Sequence, residues 1–186
     1  MKASQADILI VPGLGNSGPD HWQTRWQAKL STARRVEIGN WDRPHLVDWV
    51  ERLTRAVNTA KKPVILVAHS LGVVTVAHAA PQFDEGKVAG AYLVAMPDIE
   101  DASLLPDALK GVASDPIPRA PLPFPSVLVA SRTDPYAAWT KAETIAHAWG
   151  AQFQDAGDAG HINAESGQGP WPEGLLSFAK FMSRLA

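Results

Sequence analysis

Cysteine is absent from the 186 residues. Disulfides, thiolate metal sites and a cysteine nucleophile are thereby excluded. No apolar run approaches the length of a membrane span. The stretch Ile8-Leu9-Ile10-Val11 follows an aspartate and is too short for a signal-peptide core. Net charge is small as well, −2 in formal terms, which offers no pull toward nucleic acid or an anionic membrane surface. We expect one domain over residues 1–186, in the cytoplasm, with neither nucleic acid nor membrane as a partner. The sequence does not identify a protein partner.

What is present is a rhythm. Short apolar runs at 7–11, 34–38, 63–68, 88–95, 126–131 and 151–155 alternate with helical patterns at 20–30, 45–60, 70–81, 136–149 and 172–185. Apolar strands between helices predict a mostly parallel sheet of about six strands, covered on both faces. Right-handed crossovers make it a doubly wound α/β fold. The segment 97–125 breaks the rhythm with prolines, acidic residues and a short helical pattern at 101–110. It reads either as a long surface connection or as a partial cap over a site.

The most informative segment runs from Val64 to Val74. A β-branched run stops at Ser70, and a helical pattern starts at once. Strand, tight turn and helix with serine at the apex form a nucleophile elbow, where the serine hydroxyl is pushed above the sheet. Its usual form is G-x-S-x-G; here it is Ala68-His69-Ser70-Leu71-Gly72. A serine N-cap would account for the switch from strand to helix. It would not account for a small residue two positions away on each side.

A serine hydroxyl needs a base. Of the six histidines, His161 lies in a glycine-containing loop after the last strand pattern, free to reach over the serine. His78 and His147 fall inside helical patterns, His21 and His45 lie near helix starts, and His69 adjoins the serine but points elsewhere. The acid that orients the imidazole is expected at Asp134, just past the fifth strand pattern, with Asp98 as its rival. The order Ser70, Asp134, His161 is the Ser…Asp…His order of an elbow-bearing sheet, not that of chymotrypsin or subtilisin.

Negative charge on a reacting carbonyl oxygen needs backbone donors. The Leu71 N–H follows the nucleophile at a helix start. Leu14, between Gly13 and Gly15 in the loop after the first strand, is the second candidate. Gly13, Gly15 and Gly18 also satisfy G-x-G-x-x-G, with Glu37 near the distance a dinucleotide site wants. That loop lacks the Gly-Lys-Ser/Thr ending of a phosphate loop, and nucleotide binding leaves Ser70, Asp134 and His161 unexplained. The chain has seven tryptophans. Trp22, Trp41, Trp139 and Trp171, with His21, are candidates to line a substrate cleft, packing being the competing role for each tryptophan.

These residues resemble the α/β-hydrolase superfamily. Pro12-Gly13, Asp20-His21-Trp22-Gln23 with Trp26, Trp41-Asp42 before Pro44, the elbow, and Gly160-His161-Ile162-Asn163 with Gly167 resemble small serine hydrolases of the retinoblastoma-binding protein 9 type, also called YdeN-like. The resemblance spans nearly the whole chain. It implies a compact α/β-hydrolase with a shortened sheet and no large lid. It also places Ser70, Asp134 and His161 at the catalytic positions. The expected activity is hydrolysis of an ester or related acyl small molecule through an acyl-enzyme, with no metal or organic cofactor. Acyl transfer on the same residues and a hydrolase-like binding module are the alternatives, since fold alone does not fix function.

Overall fold

Six strands assemble in one parallel sheet in the order β2-β1-β3-β4-β5-β6. In chain order they are β1 (Asp7–Val11), β2 (Ala33–Arg35), β3 (Val64–His69), β4 (Val88–Val94), β5 (Ser126–Ala130) and β6 (Gln152–Asp155). The helices are α1 (Trp22–Lys29), α2 (Leu46–Asn58), α3 (Leu71–Ala79), α4 (Trp139–Trp149) and α5 (Pro172–Ser183). The computed structural model describes residues 1–109, 112 and 116–185. No helix among them is long and apolar enough to cross a membrane.

The pleat divides each strand between two cores. Leu9, Val11, Leu66, Ala68 and Leu93 face α2, α3 and α4. Ile8, Ile10, Ile65, Val67 and Val94 face α1 and α5, with Trp26 and Phe178 in the same cluster. All six β3 residues are buried. That explains why the central strand reads as continuous apolar sequence rather than as an alternation.

Strand β2 is shorter than the pattern at 34–38 predicts. Val36 adds one more bond, its N–H donating to the Ile10 carbonyl at 3.0 Å. Val36 and Ile38 are then buried in the α2 core without further pairing. Apolar alternation therefore persists where the ladder has ended. The helical pattern at 101–110 forms only a 3₁₀ turn at Asp107–Leu109, and Lys110 lies outside the described residues.

The chain leaves β1 for the edge strand β2, then returns to pair β3 on the other side of β1. This reversal opens a crevice at the carboxyl ends of β1 and β3, where ligands bind in sheets of this kind. The loop with Leu14 and the turn with Ser70 both leave the sheet there. The loops after β5 and β6 carry Asp134 and His161 to the same end.

Candidate active site

Ser70 sits between β3 and α3 with φ 54° and ψ −128°, a conformation that side-chain-bearing residues avoid. Its N–H donates to the Val94 carbonyl at 3.0 Å, and its own carbonyl accepts from Val73 N–H at 2.8 Å. The turn closes because its neighbours are small. A Cβ on Gly72 would lie 2.3 Å from the Val11 carbonyl oxygen, and one on Gly13 would lie 2.7 Å from the Ser70 Cβ. The first glycine of the formal G-x-G-x-x-G spacing thus makes room for the serine. Ser70 occupies the N-cap position of α3, yet its side chain makes no capping bond.

The hydroxyl instead meets His161, with Oγ 2.9 Å from Nε2. His161 Nδ1 lies 3.0 Å from both oxygens of Asp134. A carboxylate accepts only, so the ring proton resides on Nδ1 and Nε2 presents its lone pair to the Ser70 O–H. Asp134 Oδ1 also accepts from Tyr136 N–H at 2.9 Å. The Tyr136 ring stands edge-on to the imidazole at 4.6 Å. Asp98, the rival acid, turns away: its Oδ1 accepts from Glu100 N–H at 3.1 Å and lies 3.4 Å from Lys141 Nζ.

The loop bearing His161 is held from several directions. Ser131 Oγ accepts from Ala159 N–H at 2.9 Å, and Thr133 Oγ1 from Gly160 N–H at 3.1 Å. Trp22 Nε1–H donates to the Ile162 carbonyl at 2.8 Å, and His69 Nε2–H to the His161 carbonyl at 2.9 Å. Gln23 Nε2 donates to the carbonyls of Val11 (3.3 Å) and Val67 (3.1 Å), tying β1 to β3 beneath the site. The His21-Trp22-Gln23 segment therefore serves the crevice with each of its side chains.

Three imidazoles stand in a row. The His69 ring lies 4.8 Å from that of His21 and 4.9 Å from that of His161. Burial pushes His69 well below the usual histidine range, and the nearby His161 adds to the effect. Burial, then His161 and Arg35, lowers His21 to about 4. The rings of His21 and His69 are thus neutral at neutral pH.

Above Ser70 lies a cleft of about 490 Å³. Pro97, Pro106 and Leu109 are among its lining residues, so the 97–109 part of the proline-rich segment borders the site as a rim. Glu100 clamps that rim: its carboxylate accepts from Arg119 at 2.9 and 2.8 Å, from Lys141 at 2.6 Å and from Ile117 N–H at 2.9 Å. Leu14 and His21 line the cleft as well. Leu71 opens α3, with its N–H at the unpaired end of the helix.

The four tryptophans proposed as lining do not face the cleft. Trp22 is fully buried, and Trp171 stacks on Trp26 at 5.8 Å. Trp41 packs edge-on against Trp49, and Trp139 against Phe153. Large apolar rings gain more from burial beside the crevice than from exposure within it. The polar groups that do line it include Asn16 and Asn163, which sequence reasoning missed as lining residues. Position in the glycine loop and two places after His161 was the available signal.

The family profile described as serine hydrolase matches residues 8–180. No curated protein matches the chain. Among solved structures, a protein of Pectobacterium atrosepticum described as a YdeN-like hydrolase is 36% identical. The match covers 96% of this chain and 92% of that one, with a TM-score of 0.83. The ydeN gene product of B. subtilis has the same fold at 19% identity, with 96% and 100% coverage and a TM-score of 0.83. Esterase 2 of Thermogutta terrifontis shares it at 16% identity, with 100% and 87% coverage and a TM-score of 0.70. A profile match over nearly the whole length, together with an elbow serine in contact with an imidazole, assigns the family: this chain belongs to the serine hydrolases of the α/β-hydrolase fold, on their YdeN-like branch.

Proposed function

We propose that the protein hydrolyses esters or related acyl compounds of small size, with Ser70 as nucleophile, His161 as general base and acid, and Asp134 as the group that orients the imidazole. The observation that carries this reading is the continuous contact from Asp134 through His161 to Ser70, at 3.0 and 2.9 Å. Ser70 Oγ attacks the carbonyl carbon as His161 Nε2 takes its proton. The N–H groups of Leu71 and Leu14 donate to the oxygen on which charge develops. The tetrahedral adduct collapses, the carbonyl-to-leaving-group bond breaks, and His161 returns the proton to the leaving group. Water then enters and gives its proton to His161 as its oxygen bonds to the acyl carbon; the acyl-serine bond breaks, and His161 returns the proton to Ser70 Oγ.

Asp134 stabilises the imidazolium at each step without itself becoming protonated. The buried neutral rings of His21 and His69 add no competing positive charge beside it. The esterase of T. terrifontis among the structural relatives adds weight to an ester substrate.

A fluorophosphonate probe tests the reading. Stoichiometric labelling of Ser70, abolished in Ser70→Ala and accompanied by turnover of a short activated ester, is the expected result. A folded protein that never labels and never turns over an ester overturns it. Product formed with added alcohols at the expense of acid would assign acyl transfer instead.

A further inference from the structure

Three side chains that line the cleft have their acceptor atoms occupied from within the protein. Asn16 Oδ1 accepts from Ser17 N–H at 2.8 Å and from Arg35 Nη1 at 2.7 Å. Asn163 Oδ1 accepts from Ser166 N–H at 2.9 Å. His21 Nδ1 accepts from Gln23 N–H at 3.2 Å. Each of these residues faces the same space as Ser70.

An amide whose oxygen is bound has only its NH₂ left to offer, and a neutral imidazole whose Nδ1 accepts must carry its proton on Nε2. What these three lining side chains still have to offer is therefore one kind of group, three times over: the Nδ2–H of Asn16, the Nε2–H of His21 and the Nδ2–H of Asn163. Because His21 ionises only near 4, its ring keeps this single tautomer through the neutral range.

We propose that the cleft selects neutral acyl compounds carrying an additional acceptor oxygen, such as an ether, carbonyl or hydroxyl oxygen near the scissile carbonyl, over plain alkyl acyl groups of the same shape. This inference rests on the hydrolytic role assigned to Ser70 and adds the substrate class. An unbranched alkyl chain would strip water from the three donors and give nothing back, which is a cost that shape complementarity does not remove. Glu165 in the cleft lining puts negative charge beside the entering substrate, which favours a neutral acceptor over a carboxylate, while Asp20, also in the lining, is paired with Arg25 at 2.8 Å.

The test compares 4-nitrophenyl methoxyacetate, butyrate and hemisuccinate. The first two differ by one oxygen in place of a methylene. Each kcat/KM is divided by the hydroxide rate constant of the same ester, which removes intrinsic reactivity. The methoxyacetate value is expected to exceed that of butyrate by roughly 3- to 10-fold, the worth of one neutral hydrogen bond. Hemisuccinate is expected below butyrate.

Asn163→Asp keeps the oxygen that binds Ser166 and turns the remaining donor into an acceptor. It is expected to bring the methoxyacetate-to-butyrate ratio to one or less. His21→Phe is expected to lower it as well. A wild-type ratio at or below one overturns the proposal even if neither variant folds. So does a ratio unmoved in both variants, or hemisuccinate as the best ester. If none of the esters is turned over and Ser70 does not label, the hydrolase reading itself has failed, an outcome distinct from a wrong acyl preference.

Discussion

His69, the residue before the nucleophile in sequence, donates its Nε2–H to the backbone carbonyl of His161, the residue that faces the nucleophile in space. The bond crosses 92 positions of chain and is buried. It places the neighbour of Ser70 in control of the loop that must bring the base to it. His69→Phe preserves a ring between His21 and His161 but leaves a buried carbonyl unpaired. We expect a stability loss of about 1–3 kcal/mol and a kcat reduced by about tenfold or more, with KM little changed. Denaturant midpoints and steady-state kinetics check this; a variant with wild-type kcat would show that the bond does not position His161.

Acid sensitivity follows from the two neutral imidazoles. Their folded values lie below the ordinary 6.5, His21 at about 4 and His69 well below its usual range, so the unfolded chain binds more protons as pH falls through that window. Stability is therefore full above about pH 6.5 and declines on acidification, by at most about 1.4 kcal/mol per pH unit for each ring. Urea midpoints measured between pH 7 and 4.5 should fall, and His69→Phe should flatten the slope. Midpoints independent of pH in that interval would contradict the burial of these rings as neutral groups.

The two flanks of the elbow differ in what they tolerate. Gly72→Ala drives a Cβ into the Val11 carbonyl oxygen at 2.3 Å, and backbone has no way to yield cheaply. A cost of about 3 kcal/mol is expected, with activity lost as α3 is pushed off β1. Ala68→Gly, which restores the usual motif, is expected to cost about 1 kcal/mol as a glycine within a strand. Thermal melts of the pair decide it: equal losses would mean that the Gly72 contact does not govern the packing of α3.

Glu100 holds the proline-rich wall. Arg119, with help from Lys141 and the Ile117 N–H, keeps its carboxyl down at about 2. Its contribution is therefore complete above the ordinary carboxylate range and disappears as pH falls from there through about 2. Glu100→Gln at neutral pH is expected to raise KM several-fold and to speed limited proteolysis within 97–125 roughly tenfold. Unaltered cleavage in that segment would show the wall to be held by its apolar contacts alone.

Much of this was readable from the chain because the elbow is a local object. The β-branched run, Ser70 and Gly72 lie within nine residues, and their strain and packing are set by one another. The loops after β5 and β6 were likewise readable from strand periodicity, which places Asp134 and His161 at one end of the sheet. Periodicity carries no information about contacts such as Trp22 with Ile162, 140 positions apart. Nor does it tell a tryptophan that lines a cleft from one that supports its floor, so Trp22, Trp41, Trp139 and Trp171 were misplaced. The strand at 34–38 was overlong because burial of Val36 and Ile38 imitates pairing.

Ser131 and Thr133, just ahead of the acid, receive the N–H groups of Ala159 and Gly160, just ahead of the base. The two loops are thus a single cassette stitched by hydroxyls. Transplanting the 158–163 loop into a related scaffold without the 131–134 segment would orphan two backbone donors and tilt the imidazole off its carboxylate. Moved together, they should carry their alignment with them, so that only the distance to the recipient's serine remains to be tuned.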